Sequence, residues 1–146
     1  MKFKLIIDKA KEESVTVIAH GPSPLIKEIE SLVNRHQGGD TILGVGDHGI
    51  AKLHFADIEC VSIVQRRVIA VDQNGRQYRL QECLRDLEAR LPSYFIRINK
   101  SALANEHRII RFETTFSGSV DAVFACGYRE YVSRRCFAEI KRRLGV

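Results

Sequence analysis

The chain has 146 residues, 45% hydrophobic and 28% charged, which is the composition of one folded domain, with or without a short appendage, and not of a disordered chain. Its longest apolar runs (Leu5 to Ile7, Val15 to Ala19, Ile42 to Leu43) fall far short of the ~18 residues a membrane span needs, and Asp8 precedes any signal-peptide core, so membrane and secreted classes are excluded and a cytoplasmic protein is expected. Lys plus Arg exceeds Asp plus Glu by 23 − 18 = 5, and the whole excess lies in the last third: segments 1–45 and 46–95 balance, whereas 96–146 hold ten basic against five acidic side chains.

Lys2 to Ile7 alternates charged and apolar residues, and Ser14 to Ala19 repeats the pattern around Val15 and Val17; both predict half-buried strands. Gly21-Pro22-Ser23-Pro24 breaks the pattern. Leu25, Ile26, Ile29, Leu32 and Val33 then recur at helical spacing, with Ser23 placed as the cap and Pro24 in the first turn. This predicts a small β-β-α unit over residues 1–40, with its boundary at Gly38-Gly39-Asp40. Residues 41–146 form the second domain.

From Thr41 onward, short apolar segments of strand length alternate with turn residues. Ile42 to Val45 and Ile50 to Leu53 flank Gly46-Asp47-His48-Gly49, a hairpin pattern. Val61 to Val64 and Val68 to Val71 are separated by Gln65-Arg66-Arg67. Asn74-Gly75 turns the chain into Gln77 to Leu80. Cys83, Leu84, Leu87 and Leu91 mark one amphipathic helix, stopped by Pro92. In the next strand Ile96 and Ile98 point one way, Arg97 and Asn99 the other. Ile109 to Phe116, Ser117-Gly118-Ser119 and Val120 to Cys126 make a further hairpin, Glu130 to Val132 a last strand. A helix with Phe137, Ile140 and Leu144 on one face closes the chain. The domain is mostly β, and no β-α-β alternation would build a parallel sheet. The four cysteines, Cys60, Cys83, Cys126 and Cys136, form no C-x-x-C pair, and are expected as buried free thiols.

Catalytic patterns do not survive inspection. Gly44-Val45-Gly46-Asp47-His48-Gly49 matches G-x-G-x-x-G by letter, but a dinucleotide site needs a helix starting there, and Ile50 to Phe55 alternates like a strand. His48 and His54 lack a metal-ligand spacing, and Ser101 and Ser133 sit in no nucleophile elbow. No enzyme, metal or cofactor is expected.

Two stretches have the chemistry of a binding surface. Phe95-Ile96-Arg97-Ile98-Asn99-Lys100-Ser101 anchors a strand and ends in polar donors. Tyr131-Val132-Ser133-Arg134-Arg135 puts Ser133 at a helix N-cap with two arginines in the first turn, where cations are unfavourable unless an anion joins them. The same arginines are also compatible with a merely solvated basic face.

With these motifs in their order, residues 42–144 resemble the LytTR family of bacterial DNA-binding domains. The resemblance rests on Asp57-Ile58-Glu59, the paired strands ending at Asn74-Gly75, and the short helix with Leu84 and Leu87. Tyr94 to Ser101, Ala104-Asn105 and Tyr131 to Arg135 complete it. Asn99-Lys100-Ser101 stands where the family often shows His-Arg-Ser, and Ala102-Leu103-Ala104-Asn105 where it often ends in Val-Asn.

The resemblance implies an elongated stack of small antiparallel sheets with two short helices. It also implies a transcription regulator that contacts successive major grooves of duplex DNA through loops rather than a recognition helix. Carried over by position, the contact loops are Gln65-Arg66-Arg67, Asn99-Lys100-Ser101 and Ser133-Arg134-Arg135. Arg66, Lys100 and Arg135 would meet bases, and Ser101, Ser133 and Arg134 the backbone. Most relatives follow a receiver domain, for which residues 1–40 are too short, so the resemblance is to the stand-alone branch. It implies a homodimer, and a membrane-embedded protein that restrains it. The competing expectation is a basic interaction module that meets an acidic partner or an anionic membrane surface without reading sequence.

Overall fold

The computed structural model describes residues 1–11, 14–38 and 40–145. Helix α1 (Pro24–Gly38) starts as the sequence predicts: the Ser23 hydroxyl accepts from the Ile26 amide at 3.4 Å, and Pro24 occupies the first turn. The boundary expected at Gly38-Gly39-Asp40 falls partly outside the described residues, since Gly39 is not among them.

The two strands expected before α1 do not form. Among the described residues no ladder engages 2–7 or 14–19, and Phe3, Leu5, Ile7, Val15, Val17 and Ile18 are exposed. Alternation gives each segment one apolar face, but a two-stranded ribbon is marginal in water until something covers that face. Among the described residues, nothing does.

Seven strands form one antiparallel sheet: β1 (Thr41–Gly46), β2 (Gly49–His54), β3 (Ile58–Val64), β4 (Arg67–Asp72), β5 (Gln77–Leu80), β6 (Phe95–Asn99) and β7 (Ala102–Asn105). Their order across the sheet is β2-β1-β5-β4-β3-β7-β6. The glycines of the G-x-G pattern belong to this packing. A Cβ on Gly44 would lie 2.7 Å from Tyr78 Cβ, and one on Gly46 would lie 2.9 Å from the Tyr78 ring, so Tyr78 of β5 finds room beside its neighbour β1 only over bare backbone. At the Asn74-Gly75 turn the Asp72 carboxylate accepts from the Asn74 and Arg76 amides, both at 2.9 Å.

Helix α2 (Leu84–Arg90) covers one face of the sheet. Leu84, Leu87 and Leu91 bury against Ile42, Leu53, Phe55, Val61, Leu80, Phe95 and Leu103. Cys83 does not join them. It is the residue before the first helical turn and is exposed, and only Cys60 of the four free cysteines is fully buried.

A second sheet, β8 (Ile109–Thr114), β9 (Val120–Phe124) and β10 (Arg129–Val132), has the order β10-β9-β8. Together with helix α3 (Arg134–Leu144), it packs on the opposite face of β3, β7 and β6. Cys60, Ile96, Ile98, Ala102, Ala104, Phe124, Val132 and Ile140 form that second core. Ala102 and Ala104 are the small residues that let the sheets approach. Leu144 stays exposed at the end of α3, although the helical spacing assigned it to the buried face. On the outer surface, Arg111 and Arg129 grip Glu113 and hold its carboxyl below the ordinary carboxylate range.

The strands β6, β7 and β3 are therefore covered on both sides. This overturns one strand reading: Asn99, expected to face outward with Arg97, is only 8% exposed, with a bulge between Arg97 and Asn99 shifting the register.

Candidate nucleic-acid interface

Sheet topology gathers the three basic segments at one end of the molecule. The order β4-β3-β7-β6 sets the β3–β4 turn beside the β6–β7 turn, and the Ile63 amide donates to the Ser101 carbonyl at 2.8 Å to tie them. The Ser133 amide in turn donates to the Ile98 carbonyl at 2.9 Å, which seats the start of α3 next to the end of β6. The first two segments are thus joined through the pairing of β3 with β7, and the third through the bond from Ser133 to Ile98.

The first turn is Gln65-Arg66, with φ of +49° and +66°. Two left-handed residues in a two-residue hairpin turn are the arrangement for which Asn-Gly is preferred. A glutamine and an arginine here hold the backbone at a cost of about 1–2 kcal/mol per residue. Arg67 opens β4, and both arginines are exposed. Arg66→Gly should therefore stabilise the fold by about 0.5–1 kcal/mol after the extra unfolded-state freedom of glycine is subtracted, seen as a higher urea midpoint. A fall in stability would show that the turn is not strained.

The second turn carries Lys100 exposed and Ser101 half-buried. Asn99 is committed inward: its amide nitrogen donates to the Tyr131 carbonyl at 2.6 Å and to Glu130 at 3.3 Å, and its oxygen accepts from the Ser101 amide at 2.7 Å. At the third segment Ser133 caps α3 as expected, accepting from the Cys136 amide at 3.2 Å, and Arg134 and Arg135 stand exposed on the first turn. That turn has no acidic residue, so the positive end of the helix dipole and two guanidinium groups face solvent together.

Ion pairing sorts the cations in a way the sequence did not reveal. Arg90, Arg97, Arg108, Arg111, Arg129 and Arg143 each pair with Asp or Glu. Among the described residues, no carboxylate reaches Arg66, Arg67, Lys100, Arg134 or Arg135 within ion-pair distance. Arg97, next to the second loop, is committed to Glu88 of α2 and to the Lys100 carbonyl.

The residues that sequence reading missed lie just behind the loops. Tyr128 donates its hydroxyl proton to Glu130 at 2.8 Å and lies 3.3 Å from the Ser62 hydroxyl. Burial first, and then Glu130, push the Tyr128 hydroxyl well above its ordinary pKa, so it stays a donor. The spacing of two between Tyr128 and Glu130 was the available signal, since it puts both on one side of extended backbone leading into β10. Deeper still, Glu59 is fully buried. One carboxylate oxygen accepts from the Cys126 amide at 2.7 Å, and the other lies 3.9 Å from Arg108.

Known proteins share this architecture and this sequence. The LytTr DNA-binding domain of a Bacillus cereus protein superposes with a TM-score of 0.66 over 75% of this chain and 100% of its own, at 17% identity. The fold is therefore that of a LytTr DNA-binding domain. The family described as "LytTr DNA-binding domain" also matches residues 48–145 by sequence. The chain belongs to the LytTR family, a family of DNA-binding domains and not of enzymes.

Two relatives from Staphylococcus aureus strains, named as uncharacterized HTH-type transcriptional regulators, are 30% and 29% identical over 148 residues. Those alignments cover 100% of this chain and 99% of theirs. In this chain α2 and α3 are separated by the five strands β6 to β10, so they do not form a helix-turn-helix. Among the described residues no helix is long and apolar enough to cross a membrane.

Proposed function

We propose that the protein is a transcription regulator that binds specific duplex DNA in the cytoplasm, its three loops entering successive major grooves. The observation that carries this reading is the gathering of five exposed cations, none ion-paired among the described residues, on three adjoining segments. Arg66, Lys100 and Arg135 are assigned to base edges, where Arg and Lys match the acceptors of guanine. Ser101, Ser133, Arg67 and Arg134 are assigned to phosphates, with the α3 N-terminus adding its amides. Asn99, expected at the DNA, instead shapes the loop that presents Lys100.

A second copy covers the exposed apolar residues of 2–7 and 14–19, giving a homodimer on repeated half-sites. The regulatory partner implied by the family resemblance, a membrane-embedded protein, would act through the same segment. Fluorescence anisotropy of the full chain against a duplex selected from a random pool, and against unselected duplex, tests the function, with light scattering for the oligomer. The selected duplex should bind about 10³-fold or more tighter, and its affinity should fall steeply with salt. Heparin and unselected duplex competing as well as the selected duplex would overturn the reading in favour of a general polyanion-binding module. A monomer in light scattering would leave the apolar segment to the membrane-embedded partner.

A further inference from the structure

We infer that Glu130 is a positioning residue for DNA reading, the centre of a closed ring of hydrogen bonds that fixes the three loops relative to one another. The inference rests on the DNA-binding reading above. The ring starts at Ser62 on β3, two residues before the strand end that leads to the Gln65-Arg66 turn. The Tyr128 proton is committed to Glu130, so the Ser62 hydroxyl donates to Tyr128. Glu130 uses its second oxygen to accept from Asn99. Asn99 holds Ser101 through its amide, and the Ser101 carbonyl accepts from Ile63, the neighbour of Ser62, which closes the ring.

Each loop is attached to this circuit. The first loop is reached through Ser62 and Ile63, the second through Asn99 and Ser101. The third is reached through the Asn99 bond to the Tyr131 carbonyl, two residues before the Ser133 cap. Glu130 makes no ion pair among the described residues, so neutral donors are what hold its charge. An acidic group among unpaired cations would weaken binding to a polyanion if attraction were all that mattered. Its place here makes sense as geometry: three cations on separate turns read bases in successive grooves only if their spacing is fixed.

The test uses Glu130→Ala, Glu130→Gln and Tyr128→Phe in the full chain, with selected and unselected duplexes and amide hydrogen exchange. Glu130→Ala should weaken the selected duplex about tenfold or more. It should leave the unselected duplex within about twofold, because the cations that meet phosphates are unchanged. The Ser101 and Ile63 amides should exchange faster. Glu130→Gln should stay close to the parent, since its oxygen accepts from Asn99 while its NH2 donates to Tyr128, whose proton turns to Ser62. Should Glu130→Ala fail to fold, Tyr128→Phe carries the test, because it deletes one hydroxyl, and with it two links of the circuit, while keeping the aromatic side chain; it should lower selectivity and Ser101 protection.

Folded variants with the parental ratio of selected to unselected affinity and parental Ser101 exchange would overturn the inference. An equal loss on both duplexes would overturn it too, by marking Glu130 as merely structural. A parent without selectivity would instead defeat the DNA-binding reading itself, and the exchange of Ser101 and Ile63 would still report whether the ring couples the loops.

Discussion

Phe124→Ala should cost about 3–5 kcal/mol of unfolding free energy, seen as a lower urea midpoint at an unchanged m-value. Phe124 is wholly buried on β9, within the cluster of Ile98, Ala102, Ala104, Val132 and Ile140. The second sheet and α3 hold to the first sheet through that cluster. The facing alanines have no atoms with which to refill the void, so the cavity term adds to the lost transfer energy. Against a total of about 5–15 kcal/mol, the loss takes about a fifth or more of the stability. Phe116 provides the contrast, being fully exposed at the tip of the β8–β9 hairpin, and Phe116→Ala should stay within about 0.5 kcal/mol. A loss below about 1 kcal/mol for Phe124→Ala would mean that the two sheets do not share this core.

Arg135→Ala should weaken binding to the selected duplex by about 1–3 kcal/mol and relax preference at one base position. Its stability should not fall with its affinity. Arg135 is exposed, has no acidic partner among the described residues, and stands at the positive end of α3, so removing it relieves a repulsion of some tenths of a kcal/mol. Arg142 is equally charged but lies in the last turn of α3, where a cation suits the helix dipole. Arg142→Ala should lower affinity for all duplexes alike, or leave it unchanged. The two variants side by side, each titrated over a salt series, separate reading from attraction. Parental affinity and selectivity in Arg135→Ala would take this arginine off the recognition surface and leave the third segment as a phosphate clamp.

Elements governed by neighbours in sequence are legible from the residues alone. The hairpins around Asp47-His48, Gln65-Arg66 and Ser117-Gly118-Ser119 have their strands where alternation and turn residues put them. The Ser23 and Ser133 caps accept the amides expected of them. The family resemblance rests on the same local order of motifs. Alternation failed at residues 2–7 and 14–19 because it describes one face of a segment and not what covers it. It failed at Asn99 for the opposite reason, because the first sheet is covered on both sides there and a polar residue on either face is buried.

The sequence by itself determined the mostly-β class, the turn positions, the helix caps and the three basic segments, all of which depend on backbone preferences and side-chain periods over a few residues. Only the tertiary structure decided which cations are free: Glu88 reaches Arg97 and Asp57 reaches Arg108 from other elements of the fold, while Arg66, Lys100 and Arg135 meet no carboxylate among the described residues. It also decided that Asn99, Tyr128 and Glu130 form one ring with Ser62 and Ser101. Those choices depend on strand order and register, which bring together side chains separated by more than sixty positions, and no local pattern encodes them.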